Sequence, residues 1–188
     1  MTPELPAFPA SARDFDIPAP LSERGFFLRP LRDEDLPWLR ELYASTRTEE
    51  LAPVPWPDAL KRDFLDQQFA FQHRHFLTHY AGTDFLAIEQ RGRGPVGRYY
   101  LQRAAPEHLV VDIALLPDLR GSGVGSALIR GSQLEAGRQG HGMYLHVATH
   151  NTAARRLYER LGFRADGDAG THQLMRWQPT PSVEDGLV

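Results

Sequence analysis

Apolar positions keep two rhythms along this chain, a mostly helical one up to about residue 80 and an alternating one over much of the remainder. Gly25 to Arg29 (GFFLR) reads as a first strand that ends at Pro30. Beyond it Asp33 can cap a helix, because Leu36, Trp38, Leu39, Leu42 and Tyr43 recur at helical spacing. The stretch TRTEELAPVPWP should break that helix, with prolines at 53, 55 and 57. A second helix starts near Pro57 and carries Leu60, Phe64, Leu65, Phe69, Phe71, Phe76 and Leu77.

The character then changes. Asp84 to Gln90, Val96 to Arg103 and His108 to Leu116 read as strands, the first two separated by the turn RGRGP. A turn that short predicts an antiparallel meander. After a glycine turn, a third helix places Val124, Ala127, Leu128, Leu134 and Ala136 on one side, and Gly137 and Gly140 end it. Met143 to Ala148 is a strand, Asn151 opens a short helix that Gly162 closes, and His172 to Trp177 is the last strand. Strand, glycine turn, helix and strand make a crossover unit, so its two strands should lie side by side and parallel. The predicted class is mixed α/β, without internal repeats or low-complexity blocks.

With 188 residues there is material for one domain with a substantial core. The expected organisation is a Pro-rich extended arm over 1–22, one domain over 23–180 and a tail over 181–188. Pro3, Pro6, Pro9, Pro18 and Pro20 set the arm apart, and docking on the same or a neighbouring subunit is its expected role. No stretch approaches the roughly 20 apolar residues of a membrane helix. The amino terminus lacks a basic start joined to an apolar run, so cytoplasmic location is the default expectation. The chain has no cysteine, which excludes disulfides, thiolate metal sites and a cysteine nucleophile. Its 21 basic and 24 acidic residues sum to −3, no overall field for nucleic acid or an anionic membrane.

The chemistry concentrates in Arg120-Gly121-Ser122-Gly123-Val124-Gly125, between an apolar strand and an amphipathic helix. Alternating glycines allow positive φ and clear side chains away, so successive amides can face one concavity at a helix start. Arg120 adds a cation. A phosphate or pyrophosphate cradle is the chemical reading, and a tight turn without a ligand is its alternative. No lysine stands after the glycines, so a Walker loop is excluded. A dinucleotide fingerprint needs a third glycine where Ser126 stands, and an acidic end to the next strand, which reads HVATH.

Leu115-Leu116-Pro117 with Arg120, Gly123 and Gly125 is one motif; Asn151, Ala154, Tyr158, Gly162 and Phe163 form a second downstream. In this combination and order, residues 110–163 resemble the GNAT superfamily of acetyl-CoA-dependent N-acetyltransferases. The resemblance implies a mostly antiparallel twisted sheet with helices on both faces and one parallel pair splayed at the cofactor site. Strands 110–116 and 143–148 should part after a bulge, leaving backbone near Ile113, Ala114 and Leu115 to pair with the pantetheine arm. An amide there would stabilise the oxyanion. Arg120 and the amides of Gly121, Ser122, Gly123, Val124 and Gly125 would hold the pyrophosphate.

Asn151 would touch the cofactor, cap its helix, or do both. Tyr158 would be the general acid for the CoA thiolate, against the alternative of a core tyrosine. Asp112, a lone acid in LVVDIALL, is the candidate base; a structural aspartate is the alternative. The implied activity is direct transfer from acetyl-CoA to a primary amine of a small molecule or peptide in a ternary complex. A homodimer is implied by family analogy, and a non-catalytic acyl-CoA-binding sensor is the competing function.

Other residues carry weaker signals. His73, His75 and His79 suggest a wet helix face or acceptor lip rather than a metal site, because no third ligand is implied. Arg91, Arg93, Arg98 and Arg103 read as a solvated cluster around a hairpin. Tyr99 and Tyr100 alternate, so only one can face an acceptor cleft. Trp38 fits core packing, while Glu49, Glu50 and Trp56 are candidate specificity residues.

Overall fold

The structure, a computed structural model, describes residues 5–11, 15–167 and 170–180. Its strands are β1 (Phe26–Pro30), β2 (Thr83–Gln90), β3 (Gly94–Gln102), β4 (Glu107–Leu115), β5 (Gly142–Ala148), β6 (Arg164–Ala165) and β7 (His172–Trp177). They form one sheet in the order β1-β2-β3-β4-β5-β7-β6. Every pair is antiparallel except β4 with β5, the pair that the crossover required to be parallel.

Helices cover both faces. On one side lie the short turn α1 (Ala19–Ser22), α4 (Val124–Arg138) and α5 (Thr152–Arg160), packed on Tyr99, Leu101, Val110 and Leu145. On the other lie α2 (Leu36–Leu51) and α3 (Asp58–His79), packed on Phe85, Ala87 and Tyr100. Tyr99 and Tyr100 are both fully buried, in opposite layers, as strand alternation demands. Mixed α/β architecture is therefore what the periodicities predicted.

Three local features differ from the sequence reading. α2 runs to Leu51 instead of breaking at Thr46, because RTEEL contains good helix formers, an Arg47–Glu50 pair at 2.9 Å and no proline. The four-residue α1 and the two-residue β6 escape periodicity because each spans only about one repeat of its pattern, and a period shows itself only over several. Asp33 is not a helix cap; its Oδ1 accepts the Phe8 amide at 2.9 Å.

That bond belongs to the docked arm. His73 Nε2 donates to the Pro6 carbonyl at 2.8 Å, and the Phe8 ring meets His73 edge-on at 4.9 Å. His73 is thus 3% exposed, not on a wet face, while His75 and His79 stack on each other at 4.4 Å. Further along, Phe15 lies under the Arg103 guanidinium at 5.4 Å and Ile17 joins the layer of α4. The arm therefore contacts both helical layers of its own domain.

Buried imidazoles have a consequence for stability. Burial pushes the His73 and His108 pKa values below the ordinary 6.5. His108 is 1% exposed, its Nδ1 has no hydrogen-bond partner among the described residues, and its Nε2 lies 3.3 Å from His141 Nδ1. Between the lowered and the ordinary values the unfolded chain binds more protons than the folded one, so stability rises with pH across that window. Melting temperature should therefore fall as pH drops from about 7.5 towards 5, with a shallower slope for His108→Gln. A thermal melt series at fixed ionic strength checks it; equal slopes would remove His108 as a source.

Candidate active site

At the end of β4, Pro117 to Leu119 form a 3-10 turn that delivers the chain to α4. Gly121 and Gly123 have φ of 74° and 85°, left-handed values at which a side chain would be strained. Ala127 donates the first helical bond, to the Gly123 carbonyl at 3.0 Å. The amides of Val124, Gly125 and Ser126 therefore have no helical acceptor and point out of the helix start. The Ser122 hydroxyl donates to the Leu119 carbonyl at 2.6 Å and is used within the turn itself.

Two cations flank this concavity. Arg120 donates to the Leu115 carbonyl at 3.3 Å and to the Ser45 carbonyl at 3.1 Å, tying β4 to α2. No carboxylate pairs with it among the described residues, so its charge stays available to an anion. Arg24 donates to the Ser122 carbonyl at 3.3 Å, from 98 residues away. No local pattern around Arg24 marks it, since only the fold brings it beside the turn. The donor set fits a pyrophosphate: amides at a helix start, positive flanks and no side chain in the way.

The second half of the site is a parting of strands. β4 and β5 pair from Glu107 with Gly142 to Val110 with Leu145, and no further. On its other side β4 keeps its partner: Asp112, Ile113, Ala114 and Leu115 register with Tyr100, Tyr99, Arg98 and Gly97. Val111 is the bulged residue, skipped between the Leu101–Val110 and Tyr100–Asp112 pairs. The edge of residues 111–115 that would face β5 is thus left without a strand. Gly97 makes the course of this segment possible, because a Cβ there would lie 2.6 Å from the Ala114 carbonyl oxygen and 2.7 Å from Leu115 Cδ2.

Asn151 precedes α5 and its side chain accepts the Ala154 amide at 3.1 Å, the capping role. Within α5, Tyr158 is 9% exposed and packs in the core against Phe163. Its hydroxyl bonds no described residue and is not among the sealed, unpartnered polar atoms, so it reaches open space. Burial, with a contribution from the Asp112 charge, pushes its pKa up to about 12.

Asp112 has a partner that periodicity could not foresee. Arg98, on the neighbouring strand, donates from Nε to Asp112 Oδ2 at 2.7 Å and from Nη2 to Gln72 Oε1 at 2.7 Å. Arg98 is not part of a solvated cluster: it is 4% exposed. Arg103 is likewise engaged, with Asp84 and with Glu135, whereas Arg93 pairs with Asp118 at the surface. Because the bulge resets alternation, Asp112 shares the face of α3.

On that face, beyond α2 and α3, a cleft of about 400 Å³ is lined by Gln102, Glu107, Tyr144, His146, Leu174 and Arg176 among others. His146 is one residue past the last β4–β5 pair, so it stands at the root of the parting. Its ring makes no hydrogen bond with a described residue. Desolvation, then the neighbouring His172 and Arg176, hold its pKa below 6.5, so the ring is neutral at pH 7. Alternation within MYLHVA opposes His146 to the buried Leu145 and Val147, the one sequence signal that could have drawn attention to it. Trp56 is 40% exposed and meets Phe64 edge-on at 5.5 Å, while Glu49 and Glu50 are exposed near the end of α2. Among the described residues no group of three or more potential ligands could hold a metal, and no helix is long and apolar enough to cross a membrane.

Comparison with known proteins agrees with this geometry. Residues 38–163 match the model of the acetyltransferase (GNAT) family. A Mycobacterium tuberculosis N-alpha-acetyltransferase, RimI, is 32% identical over 116 residues, covering 60% of this chain and 64% of that relative. Among solved structures, the PaiA N-acetyltransferase of Thermoplasma acidophilum in complex with coenzyme A superposes with a TM-score of 0.61 at 16% identity, over 81% of this chain and 98% of that one. The ribosomal-protein-S18-alanine N-acetyltransferase of Escherichia coli does so with a TM-score of 0.54 at 21% identity, over 87% and 99% of the two chains. The family match spans more than half of the sequence, and the chain belongs to the GNAT acetyltransferase family.

Proposed function

We propose that the protein transfers an acetyl group from acetyl-CoA directly to a primary amine in a ternary complex. One observation supports this reading above the others: β4 leaves β5 after Val110, a Cβ on Gly125 at the helix start would lie 3.5 Å from Ile113 on the free edge, and the Asp112 charge acts on Tyr158, so the turn, the edge and the phenol are neighbours. The amides of Gly121 and of Gly123 to Ser126, with Arg120 and Arg24, would hold the pyrophosphate, the Ser122 amide being used on the Leu119 carbonyl, and the free edge at Ile113, Ala114 and Leu115 would pair with the pantetheine amides. Asn151, already a helix cap through the Ala154 amide, would also touch the donor. The amine nitrogen forms a bond to the thioester carbon as the carbon–sulfur bond breaks. Tyr158 gives its proton to the departing sulfur.

The amine proton needs an acceptor. Asp112 is the acid that the sequence singles out, and its carboxylate already accepts from Arg98. His146 is neutral, unbonded and at the root of the same parting, and we assign it the proton. His146→Gln should lower kcat/KM by roughly 10²-fold and abolish the acidic limb of its pH profile, which lies below 6.5 in the wild type. Asp112→Asn should keep that limb. The reverse pattern would assign the proton to Asp112.

A peptide amino terminus is the first acceptor class to try, since the 32% identical relative is by name an N-alpha-acetyltransferase. The test is acetyl-CoA consumption across peptides, polyamines, aminoglycosides and amino acids. Turnover with any of them supports the reading. Tight CoA binding without turnover on the whole panel would overturn it in favour of a sensor.

A further inference from the structure

Arg98 places a whole guanidinium inside the molecule, and its contacts fall on three elements. It reaches Gln72 and the Phe76 ring on α3, the latter at 5.8 Å. It covers the Tyr100 ring on its own strand at 5.2 Å, and bonds Asp112 on β4 at 2.7 Å. Such a charge is tolerated only with its partners in place. Asp112 is the first residue to regain pairing after the bulge at Val111, the point at which β4 parts from β5. Arg98 itself registers with Ala114, in the middle of the free edge. The fork therefore grips β4 where its course is decided and binds that course to α3, the long helix of the same face.

We infer that Arg98 is a positioning residue for the CoA-binding edge: through Asp112 it sets the path of residues 112–115, and through Gln72 it makes that path and α3 move as one body. The inference rests on residues 113–115 being the donor-binding edge. It differs from a plain stabilising ion pair in one respect that can be measured. Removing both charges together, in Arg98→Met with Asp112→Leu, leaves no unpaired buried ion, and such replacements commonly preserve stability. A pair that only stabilises would then leave CoA binding as it was.

The expected result is a double variant that melts near the wild type yet binds CoA about tenfold more weakly by calorimetry, because a small misplacement of a binding edge is costly. Arg98→Lys keeps the charge but cannot hold Asp112 and Gln72 with one planar fork, so its affinity should fall about threefold. Wild-type CoA affinity in the double variant overturns the inference. Should the double variant not fold, wild-type affinity in Arg98→Lys overturns it instead. Calorimetry with CoA needs no turnover and does not register loss of a base. A wild-type chain that binds CoA but acetylates nothing would sink the proposed activity and leave this inference standing, whereas a wild type that cannot bind CoA would sink both.

Discussion

Tyr158→Phe should lower kcat by roughly 10²- to 10³-fold while CoA affinity stays within about twofold of the wild type. The substitution removes one oxygen and keeps the ring that packs against Phe163. That oxygen bonds no described residue, so neither the core nor α5 loses a contact. What disappears is a proton donor. With its pKa pushed up to about 12 by burial and then by the Asp112 charge, the phenol is protonated throughout the neutral range. It can therefore supply a proton to a thiolate without first having to acquire one, and no alkaline limb should appear below about pH 9 from this group. Steady-state kinetics with CoA calorimetry make the test. A kcat near the wild-type value would remove Tyr158 from the acid role and leave it a core tyrosine.

Gly97→Ala should be the most destabilising single methyl in the sheet, costing about 3 kcal/mol and lowering the melting temperature by roughly 6–12 °C. The added carbon would lie 2.6 Å from the Ala114 carbonyl oxygen, 2.7 Å from Leu115 Cδ2 and 3.1 Å from Ile88 Cδ1. Side chains can rotate away, but the carbonyl moves only if β4 moves. The strain therefore lands on the free edge, and the surviving folded protein should also bind CoA more weakly. Thermal melts and calorimetry read the two effects separately. A variant that melts and binds as the wild type does would show that β4 can shift without loss, which would also weaken the role given to Arg98.

The two effects explain why parts of the site were legible and parts were not. Gly121 and Gly123 announce themselves, because a positive φ at a helix start is a local demand that glycine answers locally. Tyr158 and Asn151 are readable from one short segment whose spacing suits one helix and its cap. The parallel pair is dictated by the crossover between β4 and β5, and the two-layer cover by apolar stripes. Asp112 was visible as a lone acid in an apolar strand, but its partner was not. Arg98 lies in a run of arginines that a linear reading takes for surface, and only the register of β3 with β4 sets it opposite Asp112. His73 fails in the same way: its spacing with His75 and His79 suggests a wet face, and the arm at Pro6 and Phe8 covers it.

The sequence by itself determined the elements, the order of strands around the crossover, the glycine cradle and the helix that presents Tyr158, since each depends on neighbours within a few residues. Tertiary structure alone decided which face Asp112 occupies, what neutralises it, where β4 leaves β5, that Arg24 reaches the glycine turn, and that His146 stands one residue past the last β4–β5 pair. The physical reason is the bulge at Val111. One unpaired residue resets the two-residue alternation of a strand, so every side chain beyond it faces a direction that only pairing with β3 can establish.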